Sequence, residues 1–250
     1  MENWLQQTIV LIPAFNEEAS LGFLLDEVAA LFPTLAVAVI NDCSADATAA
    51  VARAHGAVVL DLPCNLGVGS AMQTGFAYAC ARGFRYAVRL DGDGQHPPAG
   101  IPQLFATQQE TGADVVIGSR FLGAGTVTST RWRSFGIGVL SALLSYACRQ
   151  RITDPTSGFQ LVNEHALRFF AATYPANYPE PESLALLTRQ GYRVAEAPAT
   201  FRERQGGQSS IGKRTAIKYA LTVIMALLVD RARAVNPRLA RQALAPQVLP

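Results

Sequence analysis

The first 120 residues alternate β-rich runs with helix-patterned segments, and this rhythm limits the folds open to the chain more than any other feature. Residues 8–12 are a short β-rich run that is expected to stop at Pro13. Over residues 20–32, Leu21, Leu24, Leu25, Val28 and Leu31 fall on one helical face, and Pro33 ends the pattern. Residues 36–40 read as a second buried strand. Asp46 caps a helix running to His55, with Gly56 just past its end. Strands at 57–60, 86–90 and 114–117 and helices at 67–82 and 101–111 continue the series. Strand and helix in strict alternation predict an α/β protein with a mainly parallel central sheet and helices on both faces.

The second half is less regular. Residues 132–149 read as a helix, 159–170 as a short strand and helix, 181–190 as a helix and 192–196 as a strand. A polar loop rich in Gly, Gln and Ser follows at 202–213, then a last helix at 215–233 and a tail beyond Pro237. With 250 residues the chain can bury its core without disulfides or structural metal. Charged residues are only 16%, against about 25% in an average soluble domain. Such a composition suits a tightly packed α/β protein or one that rests on a membrane. The net charge of +2 hides an asymmetry: residues 200–250 hold 9 Lys and Arg against 2 Asp and Glu. A basic end on an acidic body points to an anionic partner there. Nucleic acid, a phosphorylated small molecule or an anionic lipid surface fits this charge equally well, and the motifs read below leave no nucleic acid among the expected partners. The uncharged runs 134–148 and 219–229 fall short of the roughly 20 apolar residues that cross a bilayer. The start of the chain has no signal-peptide pattern. Cys43, Cys64, Cys80 and Cys148 form no C-x-x-C pair and read as free thiols in a reducing cytosol.

Open α/β sheets bind ligands beyond the carboxyl ends of their strands. Every such end here is polar: Pro13-Ala14-Phe15-Asn16-Glu17-Glu18, Asn41-Asp42-Cys43-Ser44-Ala45-Asp46, Pro63-Cys64-Asn65-Leu66-Gly67-Val68-Gly69, Asp91-Gly92-Asp93-Gly94-Gln95-His96-Pro97 and Gly118-Ser119-Arg120. In Asp91-Gly92-Asp93-Gly94-Gln95 two carboxylates and an amide alternate along a turn, and alternation sends them to one side. Hard oxygen donors of this kind suit Mg²⁺ or Mn²⁺ bridging phosphate oxygens. His96, beside two prolines, reads as a loop residue rather than a further ligand. Gly67-Val68-Gly69 is not a dinucleotide fingerprint, because Met72 stands where a third Gly or Ala is required and the loop follows the third strand. That argues against a nicotinamide oxidoreductase. Neither G-x-x-x-x-G-K-[ST] nor G-x-S-x-G is present, which excludes P-loop and nucleophile-elbow readings.

These strand-end sequences resemble glycosyltransferase family 2, and within it dolichyl-phosphate mannose synthase and its bacterial polyprenyl-phosphate relatives. Gly118-Ser119-Arg120-Phe121, Asp154-Pro155-Thr156-Ser157-Gly158-Phe159 and Arg202-Glu203-Arg204-Gln205-Gly206-Gly207-Gln208-Ser209-Ser210 continue the match, which covers residues 8–230 in order. The resemblance implies a GT-A fold, with a Rossmann-like sheet, and inverting transfer from a UDP- or GDP-sugar. It implies that Pro13, Ala14, Phe15, Glu17, Asp42, Asn65, Gly67, Asp91, Gly92 and Asp93 bind the nucleotide-sugar. It places the metal on Asp91, Asp93 and Gln95. It turns Arg120, Arg131, Ser157, Arg202, Arg204 and Lys213 to the diphosphate and acceptor. The catalytic set it implies is Asp93, Arg120, Asp154, Glu180, Arg202 and Arg204, with Asp154 and Glu180 as base candidates for a hydroxyl acceptor. Three positions depart from the family pattern: Val68, where Lys or Arg is usual; Gln160, where Arg is usual; and Cys43-Ser44, in place of Gly-Ser.

The expected organisation is a catalytic domain over 1–212 and a basic amphipathic helix and tail over 213–250. The expected acceptor is a polyprenyl phosphate at the cytoplasmic face of the cell membrane. Extension of a glycan by attack of a sugar hydroxyl is the alternative, and a nucleotide-sugar-binding regulator without turnover is the alternative of another class. Homo-oligomerisation is left open. The apolar run 217–228, framed by Lys213, Arg214, Lys218, Arg231 and Arg233, has the composition of an interfacial helix. Each cation near an anionic bilayer contributes about 1 kcal/mol, and exposed charges are screened over ~10 Å at 0.1 M salt. Co-sedimentation with anionic vesicles is therefore expected at low salt and is expected to fall at high salt or with neutral vesicles. Absence of binding under every condition would refute a lipid-facing basic end.

Overall fold

The computed structural model describes residues 4–122, 131–176 and 179–202, without the side chains of 131–136. The expected 202–213 loop beyond Arg202, the helix at 215–233 and the 213–250 segment lie outside the described residues.

Seven strands form one sheet: β1 (Thr8–Ala14), β2 (Ala36–Asn41), β3 (Val58–Asp61), β4 (Tyr86–Arg89), β5 (Val115–Ser119), β6 (Gln160–Asn163) and β7 (Val194–Pro198). Their order is β3-β2-β1-β4-β6-β5-β7. Among the described residues seven α-helices accompany them: α1 (Glu18–Leu31), α2 (Thr48–Ala54), α3 (Gly67–Ala81), α4 (Ile101–Thr111), α5 (Arg131–Cys148), α6 (Glu164–Ala172) and α7 (Pro179–Arg189). The alternation along β1 explains the two-sided burial. Ile9 and Leu11 join a core with Met72, Phe76 and Phe170 on the α3 and α6 side. Val10 and Ile12 join Leu21, Leu24, Val28 and Leu104 on the α1 and α4 side. Each such side chain, fully buried, contributes about 1.5–3 kcal/mol.

Strand β1 runs through Pro13 instead of stopping there. The Leu11 carbonyl accepts from Leu90 N–H, and the Ala14 carbonyl accepts from Asp42 N–H. Odd residues of β1 thus turn their main-chain groups towards β4. Pro13 lies two residues past the last β4 pair, Leu11↔Arg89, so its missing N–H leaves no ladder bond unmade. Asp46 is one residue outside the cap, which is Ala47, yet its carboxylate still accepts from Thr48 N–H at 3.0 Å.

The sheet is parallel except at β6, which runs antiparallel to both neighbours. Gln160, the first residue of β6, pairs with Arg89 and with Ile117 at the carboxyl ends of β4 and β5. The segment that feeds β6 must therefore enter at the edge formed by the carboxyl ends of β4 and β5. This reversal delivers Asp154-Pro155-Thr156-Ser157-Gly158 to the same edge as Asp91 and Asp93.

Helix α3 packs its first turn against the chain just before α7. A Cβ on Gly69 would lie 2.2 Å from the Pro175 carbonyl oxygen and 2.5 Å from that of Ala176. Gly69→Ala is expected to cost about 2 kcal/mol through overpacking. Gly138 in α5 has open space at its Cβ. Gly138→Ala is expected to add about 0.5–1 kcal/mol by removing backbone freedom from the unfolded chain. Urea unfolding should give opposite signs, and equal effects would contradict the packing at Gly69.

Candidate active site

The loop after β1 is pinned to the loop after β2. Asn16 adopts a left-handed backbone, φ +57°, and its N–H donates to Ser44 Oγ at 3.0 Å. Its side-chain oxygen accepts from Ala45 N–H at 2.9 Å, and Glu17 N–H donates to Thr48 Oγ1 at 2.8 Å. Asp46 adds an acceptor for Glu18 N–H. Burial works against the Asp46 charge, but bonds from the Thr48 hydroxyl and from the Thr48 and Glu18 amides prevail and hold its carboxyl below the usual range. Asp42 is buried and accepts from Leu66 N–H at 2.7 Å and Gly67 N–H at 2.8 Å, which sets the first turn of α3. Phe15 and Asn65 are exposed beside this corner. Cys43, in the place where Gly is usual, has φ +60°. That backbone costs a side-chain-bearing residue about 1–2 kcal/mol, which explains the usual glycine.

The Asp91–Gly94 turn follows β4, and an arginine not singled out in the sequence organises it. Arg89 is buried, with its side chain only 4% exposed. Its Nε lies 3.1 Å and its Nη2 3.0 Å from Asp91 Oδ1, and its Nη1 lies 2.8 Å from Glu180 Oε1. Burial opposes its charge, and the Asp91 and Glu180 carboxylates reverse that effect and raise its affinity for the proton. Tyr174 stands beside this group, and burial pushes its phenol up to about 12.

His96, expected to be an ordinary loop residue, is also buried. Its Nδ1 accepts from Asp91 N–H at 3.1 Å, which assigns the ring proton to Nε2, 3.7 Å from Asp91 Oδ2. The ring stacks on Phe159 at 5.6 Å and meets Phe201 edge-on at 4.9 Å. Burial pushes His96 below its usual range, against the pull of Asp91 and Asp93. Asp93 is buried, and its Oδ1 accepts from Gln95 N–H at 3.0 Å. Gly92 packs on the Pro13 carbonyl and on Glu17, while its own carbonyl accepts from Ser20 Oγ at 2.9 Å.

The third group hangs on Asp154, which is fully buried. Arg120 grips it with Nε and Nη2, both at 2.7 Å, and Arg120 N–H adds a bond at 3.1 Å. Arg120 Nη2 also donates to Thr156 Oγ1 at 2.7 Å, and its guanidinium lies 5.0 Å from the centre of the Phe201 ring. Glu196, on β7, accepts from Thr153 N–H and Asp154 N–H, each at 2.8 Å, and so sets the turn that presents Asp154. Ser157 Oγ donates to the Gly118 carbonyl at 2.7 Å, and Gln160 Nε2 donates to the Ser157 carbonyl at 3.0 Å. Gln160, where Arg is usual, is buried directly opposite Arg89.

The structure thus gathers Pro13, Glu17, Asp91, Gly92, Asp93, Gln95, Arg120, Asp154, Ser157 and Glu180 around the carboxyl ends of β1, β4 and β5. It places Arg202 differently. The Arg202 guanidinium makes two bonds to Glu27 on α1, at 2.6 and 2.8 Å, while Arg202 N–H donates to the Gln95 carbonyl at 3.0 Å. Arg202 therefore ties the chain to the Asp93–Gln95 turn through its backbone and to α1 through its side chain. Arg204 and Lys213 lie outside the described residues, as does the Arg131 side chain. Arg89, His96 and Glu196 were missed. Each is one polar residue in or beside a strand, and only the register reveals its partners. A cavity of about 350 Å³ lined in part by Val28, Phe32, Tyr78 and Arg82 opens at the amino ends of the strands, away from this site.

Among the described residues no three His, Cys, Asp or Glu side chains are grouped to hold a metal by themselves. The donor set fits a hard divalent ion held by one or two carboxylates together with substrate phosphates. Asp91, Asp93 and the Gln95 amide supply oxygens, and His96 is turned to Asp91.

An α/β sheet with a reversed sixth strand and a carboxylate turn at its centre is a GT-A fold. Glucosyl-3-phosphoglycerate synthase from Mycobacterium tuberculosis, solved with phosphoglyceric acid, superposes with a TM-score of 0.70 at 20% identity, covering 92% of this chain and 84% of that one. The same enzyme solved with Mn²⁺, uridine diphosphate and glucosyl-3-phosphoglycerate gives 0.68 at 19% identity, with the same coverage. The Glycosyl transferase family 2 model matches residues 9–170, and the chain belongs to that family. Polyprenol monophosphomannose synthase of Mycolicibacterium smegmatis is 30% identical over 219 residues, covering 82% of this chain and 81% of that protein. Undecaprenyl-phosphate mannosyltransferase of Micrococcus luteus is 30% identical over 217 residues, covering 82% and 87%.

Removing one partner of a buried ion pair leaves the other charge stranded, at a cost of about 3–5 kcal/mol. Asp154→Asn is expected to lose about 3 kcal/mol in urea unfolding, the low end of that range, because Arg120 keeps a little solvent contact. A loss within error of zero would mean that the Arg120 clamp is dispensable.

Proposed function

We propose that this chain transfers a hexosyl group, mannose being the first candidate, from a UDP- or GDP-sugar to a polyprenyl phosphate with inversion at the anomeric carbon. The observation that carries this reading is the state of the two carboxylates expected as bases. Asp154 is gripped by Arg120 at both oxygens, and Oε1 of Glu180 lies 2.8 Å from Arg89 Nη1. A hydroxyl acceptor needs a carboxylate whose lone pairs are open to its proton, whereas a phosphate acceptor arrives as an anion and needs none. The names of the two 30%-identical relatives, both polyprenyl-phosphate mannosyltransferases, support the same acceptor and sugar.

In this reading a phosphate oxygen attacks the anomeric carbon from the face opposite the nucleotide. The bond from that carbon to the diphosphate oxygen breaks, and the nucleoside diphosphate departs with the electron pair. Pro13, Ala14, Phe15, Glu17 and Asp42, with Asn65 and Gly67, form the corner that takes the nucleoside. Asp91, Asp93 and Gln95 would hold Mg²⁺ or Mn²⁺, and the ion would supply positive charge to offset the charge building on the leaving diphosphate. Arg120 is held in one rotamer by Asp154 and Thr156, so it presents a preorganised cation to phosphate. Ser157 shapes the loop beside it. Arg202 anchors the start of the segment that carries Arg204 and Lys213, the further cations of the proposal. No helix among the described residues is long and apolar enough to cross a membrane. The lipid acceptor is then met at the inner membrane face from a peripheral position.

The test offers GDP- and UDP-hexoses with a short polyprenyl phosphate or the matching polyprenol, in Mn²⁺ and in excess chelator. Product is expected only with the phosphate and only with metal. Asp93→Ala is expected to lose about 10²-fold or more in kcat with the circular dichroism spectrum unchanged, as removal of one charge-stabilising group does. Transfer to a free hydroxyl with no transfer to phosphate would overturn the reading.

A further inference from the structure

Among the described residues, Arg89 is the one buried cation of the site that the proposed chemistry leaves without a task. It ends β4 at the middle of the sheet, between β1 and β6. Its fork spans two carboxylates from separate parts of the chain, Asp91 in the metal turn and Glu180 in the first turn of α7. The loop before β6 closes the group from above. A Cβ on Gly158 would lie 2.7 and 2.8 Å from the Asp91 carboxylate oxygens and 3.0 Å from Arg89 Nη2. The group is thus held by three segments and by a glycine that no larger residue can replace without a clash.

An ion triad built on a buried arginine is a poor stabilising device, even with Asp91 one third exposed. Desolvation of its charges offsets most of their attraction, and apolar residues of equal volume often do better. Its return is in orientation. Both Arg89 contacts to Asp91 fall on Oδ1, while Oδ2 faces His96 Nε2 at 3.7 Å. Together with the bond from Asp91 N–H to His96 Nδ1, this fixes the plane of the first carboxylate of the metal turn. Glu180 fixes Arg89 in turn. Groups one shell behind a metal ligand set its orientation in this way.

We propose that Arg89 is a positioning residue for the transfer reaction. It orients Asp91 towards the metal and, through Glu180, locks the first turn of α7 to the metal turn. This rests on the metal-dependent reading above. A lysine keeps the charge but lacks the fork, so it can hold one carboxylate at a time. The experiment measures Mn²⁺ binding in the presence of uridine or guanosine diphosphate by electron paramagnetic resonance, alongside Tm, kcat and KM. The proteins are wild type, Arg89→Lys, Glu180→Gln and, as control, Arg85→Ala, which breaks the exposed Arg85–Glu164 pair.

Arg89→Lys is expected to weaken Mn²⁺ binding by about tenfold or more, as loss of a ligand-orienting group does, and to lower kcat more than it raises the acceptor KM. Glu180→Gln is expected to move the same quantities in the same direction by less, and Arg85→Ala to leave them unchanged. Should Arg89→Lys fail to fold, Glu180→Gln decides alone. Mn²⁺ binding at wild-type strength in the folded variants, with only Tm lowered, would overturn the proposal and leave the metal reading standing. A wild type that binds no Mn²⁺ with either nucleotide would overturn both.

Discussion

The direction of β6 is the constraint on which the site depends. In an all-parallel sheet every loop at the carboxyl edge leaves a strand. Here β6 runs the other way between β4 and β5, so the loop that enters it arrives at that edge. Asp154, Ser157 and Gly158 reach Arg120, Gly118 and Asp91 only for that reason. The two small-residue contacts that permit this approach are severe. A Cβ on Gly118 would meet the Phe159 ring at 2.5 Å, and one on Gly158 would meet Asp91 at 2.7 Å. The reversal therefore needs its glycines as much as its hydrogen bonds.

Charges at this edge come in linked pairs. Arg89 joins Asp91 to Glu180, Arg120 holds Asp154, and Glu196 sets the turn behind Asp154. Buried pairs of this kind contribute little net stability, because water solvated the same charges before folding. What they supply is order. A guanidinium bound at two nitrogens has one rotamer, and electrostatic catalysis works through groups that need not reorganise when charge develops. Stability resides in the two apolar layers on either side of β1, β2 and β4.

The same division explains why the two carboxylates expected as bases look different in the fold. Residue type and place in a loop suggested a proton acceptor at Asp154 and at Glu180. Their partners lie far away in sequence, Arg120 34 residues before Asp154 and Arg89 still further from Glu180. Arg202 shows the same effect from the other sign. Its neighbours in sequence suggest a phosphate-binding loop, while its guanidinium is bonded to Glu27, 175 residues earlier.

Local chemistry made much of the chain legible. Hydrophobic alternation and helix-breaking residues located the strands and helices to within a few residues, because these signals act over one turn or one pleat. The helix at 101–111 has the bounds read from its pattern. The carboxylate turn was legible because Asp91 and Asp93 alternate at the end of a buried run. Pro13 misled, because its cost depends on which neighbour its missing N–H faces. His96 and Arg89 misled or went unseen, because a polar residue at a strand end reads as exposed until the layers above it are known. By itself the sequence determined the elements, the polar carboxyl ends of the strands and the oxygen-rich turn. The tertiary structure alone decided the reversed strand, the carboxylates taken up by arginines and the burial of His96, since each depends on contacts between residues that are distant along the chain.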